Sequence, residues 1–178
     1  PVRLEVSSAD VIHSFWIPRL HGKIDVIPGV RNRFWIRADS AGRYRGRCAE
    51  YCGLQHSNMA VYVTADSAAS FRRWLAEQAN PAGAPPSGEA ARGQQRFVQT
   101  CALCHTVRGT EAKGAIGPDL THVASRETLA GGAIRNSRGN LAGWVVNAPS
   151  IKPGTLMPRI DLEPDDLHAV VAYLETLR

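Results

Sequence analysis

The sequence predicts two domains of different class, an all-β sandwich of short strands followed by an all-α domain. Three observations carry that prediction. Residues 80–87 (Asn-Pro-Ala-Gly-Ala-Pro-Pro-Ser) lack apolar periodicity and read as a linker partly stiffened by proline. Residues 1–79 hold short runs of aromatic and branched residues between turns, whereas in 88–178 the apolar positions recur at helical spacing. The four cysteines form two pairs, Cys48/Cys52 and Cys101/Cys104, each followed closely by a histidine.

The first domain enters on a strand-like Arg3-Leu4-Glu5-Val6. Val11-Ile12, Phe34-Trp35-Ile36 and Val61-Tyr62-Val63 read as further strands, as does Tyr44-Arg45-Gly46-Arg47. Ile27-Pro28-Gly29 and Ser40-Ala41-Gly42 supply turn chemistry between them. A helix over about 67–79 closes the domain, with Phe71, Trp74 and Leu75 along one face. Beyond the linker, Ser87 caps a helix reaching about Gln99, and 141–147 is a second, short helix. The last helix starts at Pro164, with Asp165 and Asp166 in its first turn, and carries an apolar stripe of Leu167, Val170, Val171, Leu174 and Leu177.

Composition narrows the function classes. Hydrophobic residues make up 44% and charged residues 21%, as in an ordinary globular chain. No stretch approaches the roughly 20 apolar residues that cross a bilayer. The absence of a starting methionine or leader-like segment reads as a mature or trimmed piece. The net charge of +5 lies mostly in residues 1–80, where 11 Lys and Arg face 7 Asp and Glu (+4), against 10 and 9 in 81–178 (+1). These basic residues do not cluster with stacking aromatics, so solvated surface or a face for an acidic partner is read rather than a nucleic-acid site.

Cys101-Ala102-Leu103-Cys104-His105 is C-x-x-C-H, the attachment signal for c-type haem. Two thiols form thioethers with the porphyrin vinyl groups, and the adjacent histidine becomes an axial ligand. A redox dithiol would not need the histidine, and a zinc site would need more ligands at matching spacing. Gly117-Pro118-Asp119-Leu120, then Met157-Pro158 and a C-terminal apolar helix, resemble the small class I c-type cytochromes. That resemblance implies that the Pro118 carbonyl steadies His105 and that Met157 is the second axial ligand. The loop setting of Met157, between Leu156 and Pro158, favours a ligand over core filler. His122 and His168 read as core or surface histidines, and Trp144 as a candidate to reach a haem propionate.

The earlier cluster, Cys48-Ala49-Glu50-Tyr51-Cys52-Gly53-Leu54-Gln55-His56-Ser57-Asn58-Met59, spaces its soft donors 4, 4 and 3 apart. That spacing suits one helix face, but Gly53 and the strand-like run before it argue for a loop. Three zinc ligands are the other plain reading. Thiolate, imidazole and thioether together are instead the donor set of copper electron-transfer sites. Two thiolates on a loop can bridge two copper ions, each then needing one histidine, and a second histidine must come from elsewhere.

Asp10-Val11-Ile12-His13-Ser14-Phe15-Trp16-Ile17-Pro18, Lys23-Ile24-Asp25-Val26-Ile27-Pro28-Gly29 and Cys48-Ala49-Glu50-Tyr51-Cys52-Gly53 resemble cytochrome c oxidase subunit II. The resemblance covers most of 1–79. The haem domain resembles the cytochrome c fusion of caa-type bacterial oxidases. It implies a cupredoxin-like Greek-key sandwich bearing the dinuclear CuA centre. By that resemblance Cys48 and Cys52 bridge the coppers and His13 and His56 terminate one each. Met59 and the Glu50 backbone carbonyl are then the weak ligands. The Glu50 carboxylate is implied in binding Mg²⁺ at the seam with subunit I. His21 and Val30 stand where the family often has Gly and Arg, and His21 is read as non-ligating. The family's paired transmembrane helices are not in this sequence, so a soluble head on the periplasmic face of the membrane is expected.

The implied function is the electron-entry subunit of a membrane-bound terminal oxidase. A cytochrome or upstream respiratory complex would reduce haem c, which would pass electrons to CuA and then to subunit I for oxygen reduction. A nitrous oxide reductase-like protein is the alternative, since its dinuclear copper domain uses nearly the same spacing. The Cys-Ala-Glu-Tyr-Cys-Gly run and the Lys-x-Asp-x-Ile-Pro-Gly turn favour the oxidase. A copper chaperone fused to a redox carrier would not need the bridging set complete.

Overall fold

The computed structural model describes residues 1–86 and 88–178. It divides into two compact units, the first built mainly on Pro1–Trp74 and the second on Leu75–Ala130 and Ile134–Arg178. Among the described residues no helix is long and apolar enough to cross a membrane.

The first unit holds six strands: β1 (Val2–Val6), β2 (His13–Trp16), β3 (Ile24–Val26), β4 (Asn32–Ile36), β5 (Gly42–Cys48) and β6 (Ala60–Ala65). β1 and β4 form an antiparallel ribbon, and the others form a sheet in the order β3-β2-β5-β6. Phe34 and Ile36 from the ribbon meet Tyr44 of the sheet and the buried Ile17 and Leu20, with Leu4, Phe15, Val61 and Val63 packed around them. This is a sandwich core, and the period of two in β5 shows how it is made. Tyr44, Gly46 and Cys48 point inward, while Arg43, Arg45 and Arg47 point out, with Arg43 lying 4.0 Å over the Tyr62 ring. Phe15 and Cys48 are direct cross-strand partners, which brings the start of β2 beside the end of β5.

One expectation for this half needs correction. Val11 and Ile12 are not strand residues; each is 46% exposed, and β2 begins at His13. The Ser8 hydroxyl donates to the Val11 carbonyl at 2.5 Å and closes a turn there, which overrides the strand preference of two branched residues. Helix α1 (Ala68–Ala79) forms where expected, and Phe71, Trp74 and Leu75 along its face are each about half exposed. The division between the units falls within this helix.

The second unit packs α2 (Glu89–Thr100), α3 (Arg138–Ile151) and α4 (Pro164–Thr176), with a two-residue strand pair, β7 (Thr128–Leu129) and β8 (Ile134–Arg135). The expected cap Ser87 lies outside the described residues, and Gly88 holds the N-cap position of α2. α2 and α4 cross at Gly93, where a Cβ would run into the backbone of Ala169. One turn on, Phe97 and Tyr173 meet edge to face at 5.5 Å. α3 is longer than the expected 141–147 because Ser137 caps it, accepting from the Asn140 amide. Its path bends at Asn147, where the backbone leaves helical geometry two residues before Pro149. α4 begins at Pro164 and buries Val170, Val171, Leu174 and Leu177 of its stripe, with Leu167 packed at the edge. Within this unit the Arg108 guanidinium donates to the carbonyls of Gln78 (2.6 Å) and Ala79 (3.3 Å), capping the end of α1. Ala82 donates its amide to the Arg108 carbonyl at 2.8 Å.

Candidate metal centres

In the first unit, β5 delivers Cys48 at its inner edge and the chain then loops to β6. Gly53, at φ 112°, permits a backbone turn that a side chain would resist. A 3-10 turn at His56–Asn58 follows, and the Cys48 amide donates to the Met59 carbonyl at 3.0 Å, closing the loop on itself. The Ala49 amide donates to Ser14 O at 3.1 Å, tying the loop to β2 beside His13.

The result is a tight convergence of donor atoms. The Cys48 and Cys52 sulfurs lie 3.8 Å apart. His13 Nδ1 is 3.9 Å from Cys48 Sγ, and His56 Nδ1 is 3.8 Å from Cys52 Sγ. The Glu50 carbonyl oxygen lies 3.1 Å from Cys48 Sγ, and the Met59 sulfur 3.9 Å from Cys52 Sγ. One imidazole thus serves each sulfur, with a carbonyl on one side and a thioether on the other. His13, Cys48 and Cys52 also stand out as a group able to hold a metal ion, their donor atoms all within 4.8 Å of one another. Two thiolates flanked by two imidazoles and two weak donors fit a bridged copper pair, whereas one zinc ion would leave donors unused.

Electrostatics differ between the two thiols. Burial raises the Cys48 pKa, but the backbone at Ser14 and Glu50 and the imidazoles of His13 and His56 outweigh it and bring the thiol down to about 6. Cys52 moves the other way, raised by burial and by the adjacent Cys48. On the outer side of His13, Nε2 lies 2.9 Å from Asp10 Oδ1. That hydrogen bond raises the imidazole pKa, against the effect of burial, and it holds the Asp10 carboxyl at about 2 with help from Ser8. Nothing in the copper-like loop spacing points to Asp10; its only signal is a carboxylate three residues before a candidate ligand.

In the second unit, α2 ends at Cys101 and the next turn is closed by the Cys104 and His105 amides, which both donate to the Cys101 carbonyl. The 114–118 segment lies against that turn. Gly114 N donates to Ala102 O and His105 O, and Gly117 N donates to Cys104 O at 2.7 Å. Both glycines are there for space: a Cβ at Gly114 would lie 2.5 Å from Leu103 O, and one at Gly117 2.5 Å from His105 Cε1. His105 Nδ1 lies 2.9 Å from Pro118 O. A carbonyl only accepts, so Nδ1 carries the proton and Nε2 keeps its lone pair for a metal. This ring orientation, with two thiols held on one turn, fits a covalently attached haem. Burial pushes the Cys101 thiol up to about 11.

Met157 is half-buried in the loop between α3 and α4, a loop shaped by Thr155 N donating to Lys152 O and Ile160 N donating to Val146 O. His122 is a core histidine, its Nε2 3.1 Å from the Arg108 guanidinium, and His168 is exposed. His21 packs its ring against Phe34 and Trp35 in the first unit. Trp144 is partly buried on α3.

The family described as "Cytochrome C oxidase subunit II, periplasmic domain" matches residues 1–66, and the family "Cytochrome c" matches 90–178. Cytochrome c oxidase subunit 2 of Alkalihalophilus pseudofirmus is 37% identical over 99% of this chain and 52% of its own length. The Bacillus subtilis protein of the same name is 32% identical over 99% of this chain and 53% of its own length. A solved structure, the periplasmic domain of subunit II of cytochrome oxidase of Bradyrhizobium japonicum, is 37% identical, with a TM-score of 0.41, covering 42% of this chain and 54% of that one. The chain spans about half the length of the curated relatives it matches. With the first family's domain ahead of the second's, and with relatives that match it from end to end, the chain belongs to the cytochrome c oxidase subunit II family, in the form that carries a cytochrome c domain.

Proposed function

We propose that this chain is the electron-entry part of a respiratory haem–copper terminal oxidase, standing on the periplasmic face of the membrane and paired with subunit I, where oxygen is reduced. The observation that carries this reading is the convergence of six soft or neutral donors, His13, Cys48, Glu50 O, Cys52, His56 and Met59, with their contacts at 3.1–3.9 Å. Those residues would hold the dinuclear copper; Cys101, Cys104, His105 and Met157 would hold haem c. When bound, the two groups supply one-electron redox sites that change geometry little on reduction. The residues of the chain do the rest. Cys48 and Cys52 would share a metal pair, the Pro118 carbonyl fixes the His105 ring, and the 80–87 segment would tether the 88–178 domain to the 1–79 domain.

The order of flow follows from charge and tethering. A copper domain of +4 repels a strongly basic donor, whereas a tethered haem domain is held at high effective concentration without such docking. On this reading the 88–178 domain would be the entry port, and the 1–79 domain would be filled from it within the chain. Rapid mixing of the loaded protein with a donor is expected to show haem c reduced first, then copper, at a second-phase rate independent of protein concentration. Copper reduced first, or a second phase that scales with concentration, overturns the order. The Glu50 carboxylate, free of the carbonyl's role, is the hard ligand available for Mg²⁺ at the subunit I seam. Glu50→Gln in the whole oxidase should lower Mn²⁺ occupancy there and spare the copper spectrum; unchanged occupancy removes that role.

A further inference from the structure

One carboxylate touches the copper-like cluster from outside the set of donors. Asp10 sits in the turn before β2; its Oδ1 accepts from His13 Nε2 at 2.9 Å and lies 2.9 Å from Ser8 Oγ, whose single hydrogen also faces the Val11 carbonyl at the shorter 2.5 Å. The Asp10 amide donates in turn to Ser8 Oγ at 3.3 Å, and Ser8 pairs as a bridge with Pro28. Although its side chain is 71% exposed, the carboxylate is thus held against His13 by a turn fixed to the sandwich.

The chemistry of the contact is directional. An ionised carboxylate only accepts, so Nε2 must carry the His13 proton, and the Nδ1 lone pair faces Cys48 Sγ at 3.9 Å. His56 meets its own sulfur at nearly the same distance, 3.8 Å, but packs its ring against Tyr51, with centroids 5.8 Å apart. The two terminal imidazoles therefore have unlike surroundings, one backed by a negative charge and one by an aromatic ring.

We propose that Asp10 is a positioning residue for the copper pair: its carboxylate fixes the His13 tautomer that presents Nδ1 to the bridging sulfurs and makes His13 the more strongly donating of the two terminal histidines. The inference rests on the reading of His13 as a copper ligand given above. A carboxylate behind a ligating imidazole raises its basicity, and that favours the higher oxidation state of the metal it holds. The pair is then electronically uneven, and its potential lies lower than it would without Asp10.

Two substitutions separate tautomer control from charge. Asp10→Asn keeps an acceptor oxygen without the charge, and Asp10→Ala removes both. In the metal-free protein, nitrogen NMR of labelled histidine should show His13 as the Nε2–H tautomer in wild type and Asp10→Asn, and as a mixture in Asp10→Ala. In the copper-loaded protein, the potential should rise in both variants, and Asp10→Ala should retain copper against a chelator about 10- to 100-fold less well. A merely structural role would leave the potential where it was. If Asp10→Ala kept the wild-type tautomer, potential and copper retention, the proposal is refuted and the copper reading stands. If wild type took up no copper pair, the copper reading itself falls, and with it the claim about electronic unevenness.

Discussion

The first unit gathers its donors from two places, His13 at the start of β2 and the rest from one loop 35 positions further on, so its site exists only once the sandwich has formed. The second unit places Cys101, Cys104 and His105 on a single turn at the end of α2, and folding has only to aim the histidine. The thiols record the same contrast. Burial opposes ionisation at both Cys48 and Cys101. At Cys48 the backbone at Ser14 and Glu50 and two imidazoles overcome it, giving about 6; at Cys101 nearby Arg96 does not, and the thiol stays at about 11. A thiol that binds a metal must be a thiolate, while one destined for a thioether need not be. Preorganisation therefore combines main chain with converging side chains in the first unit and rests on main-chain packing in the second.

The largest effect should come from breaking the side-chain site. Cys48→Ser or Cys52→Ser removes a bridging sulfur, and the copper pair should be lost while the haem absorption bands stay intact. A variant that kept the hyperfine pattern of a delocalised pair in its EPR spectrum would show that the bridge lies elsewhere. The matching break in the second unit is Gly117→Ala. Its methyl would lie 2.5 Å from His105 Cε1 and 2.7 Å from Nδ1, so the ring must turn away from Pro118 O. Forcing such an overlap costs about 1–3 kcal/mol. Misligated haem with an unchanged copper spectrum is expected; native ligation in the variant would mean that the loop yields instead of the ring.

Met157→Ala should act more mildly, since both thioether positions and His105 remain. Haem should stay attached, its potential should fall, and the reduced variant should bind carbon monoxide where wild type does not. Unchanged potential and no carbon monoxide binding would give Met157 a packing role only.

These breaks also show which parts of the molecule could be read in advance. The alternation in β5 and the Pro164 start of α4 are local signals, and both elements stand where the pattern put them. Val11-Ile12 failed because propensity does not register a serine three positions back whose hydroxyl closes a turn. The apolar face of α1 was legible as a face, but a sequence pattern does not say whether anything covers it. C-x-x-C-H is five adjacent residues and needs no tertiary knowledge. His13 has no spacing relation to Cys48 and was reachable only through resemblance to known relatives; the structure then brings that residue to the sulfurs. Asp10 was missed because its task depends on the direction of one imidazole nitrogen, which no residue pattern encodes.

The smallest expected effect sharpens the main-chain side of the comparison. The loop that aims His105 continues into Asp119, whose Oδ1 accepts from the Thr121 amide at 2.7 Å. Burial raises the Asp119 pKa, but the Thr121 hydrogen bonds and the charges of Arg108 and Arg126 outweigh it and leave the carboxyl below its ordinary value. A carboxylate depressed in the folded state adds stability that is complete above its unfolded pKa, near 3.9, and is lost as the pH falls through the folded value. Its side chain is 46% exposed and the Arg108 pair is 3.4 Å apart, so screening keeps the contribution to under about 1 kcal/mol. Asp119→Asn should therefore unfold slightly earlier than wild type at pH 7, and the two melting curves should converge as the pH drops from about 4 towards 2. The Pro118 carbonyl is main chain and does not titrate, so the haem ligation signature of the variant should match wild type throughout. A shift in that signature would show that the Asp119 charge, and not backbone packing alone, holds the histidine in place.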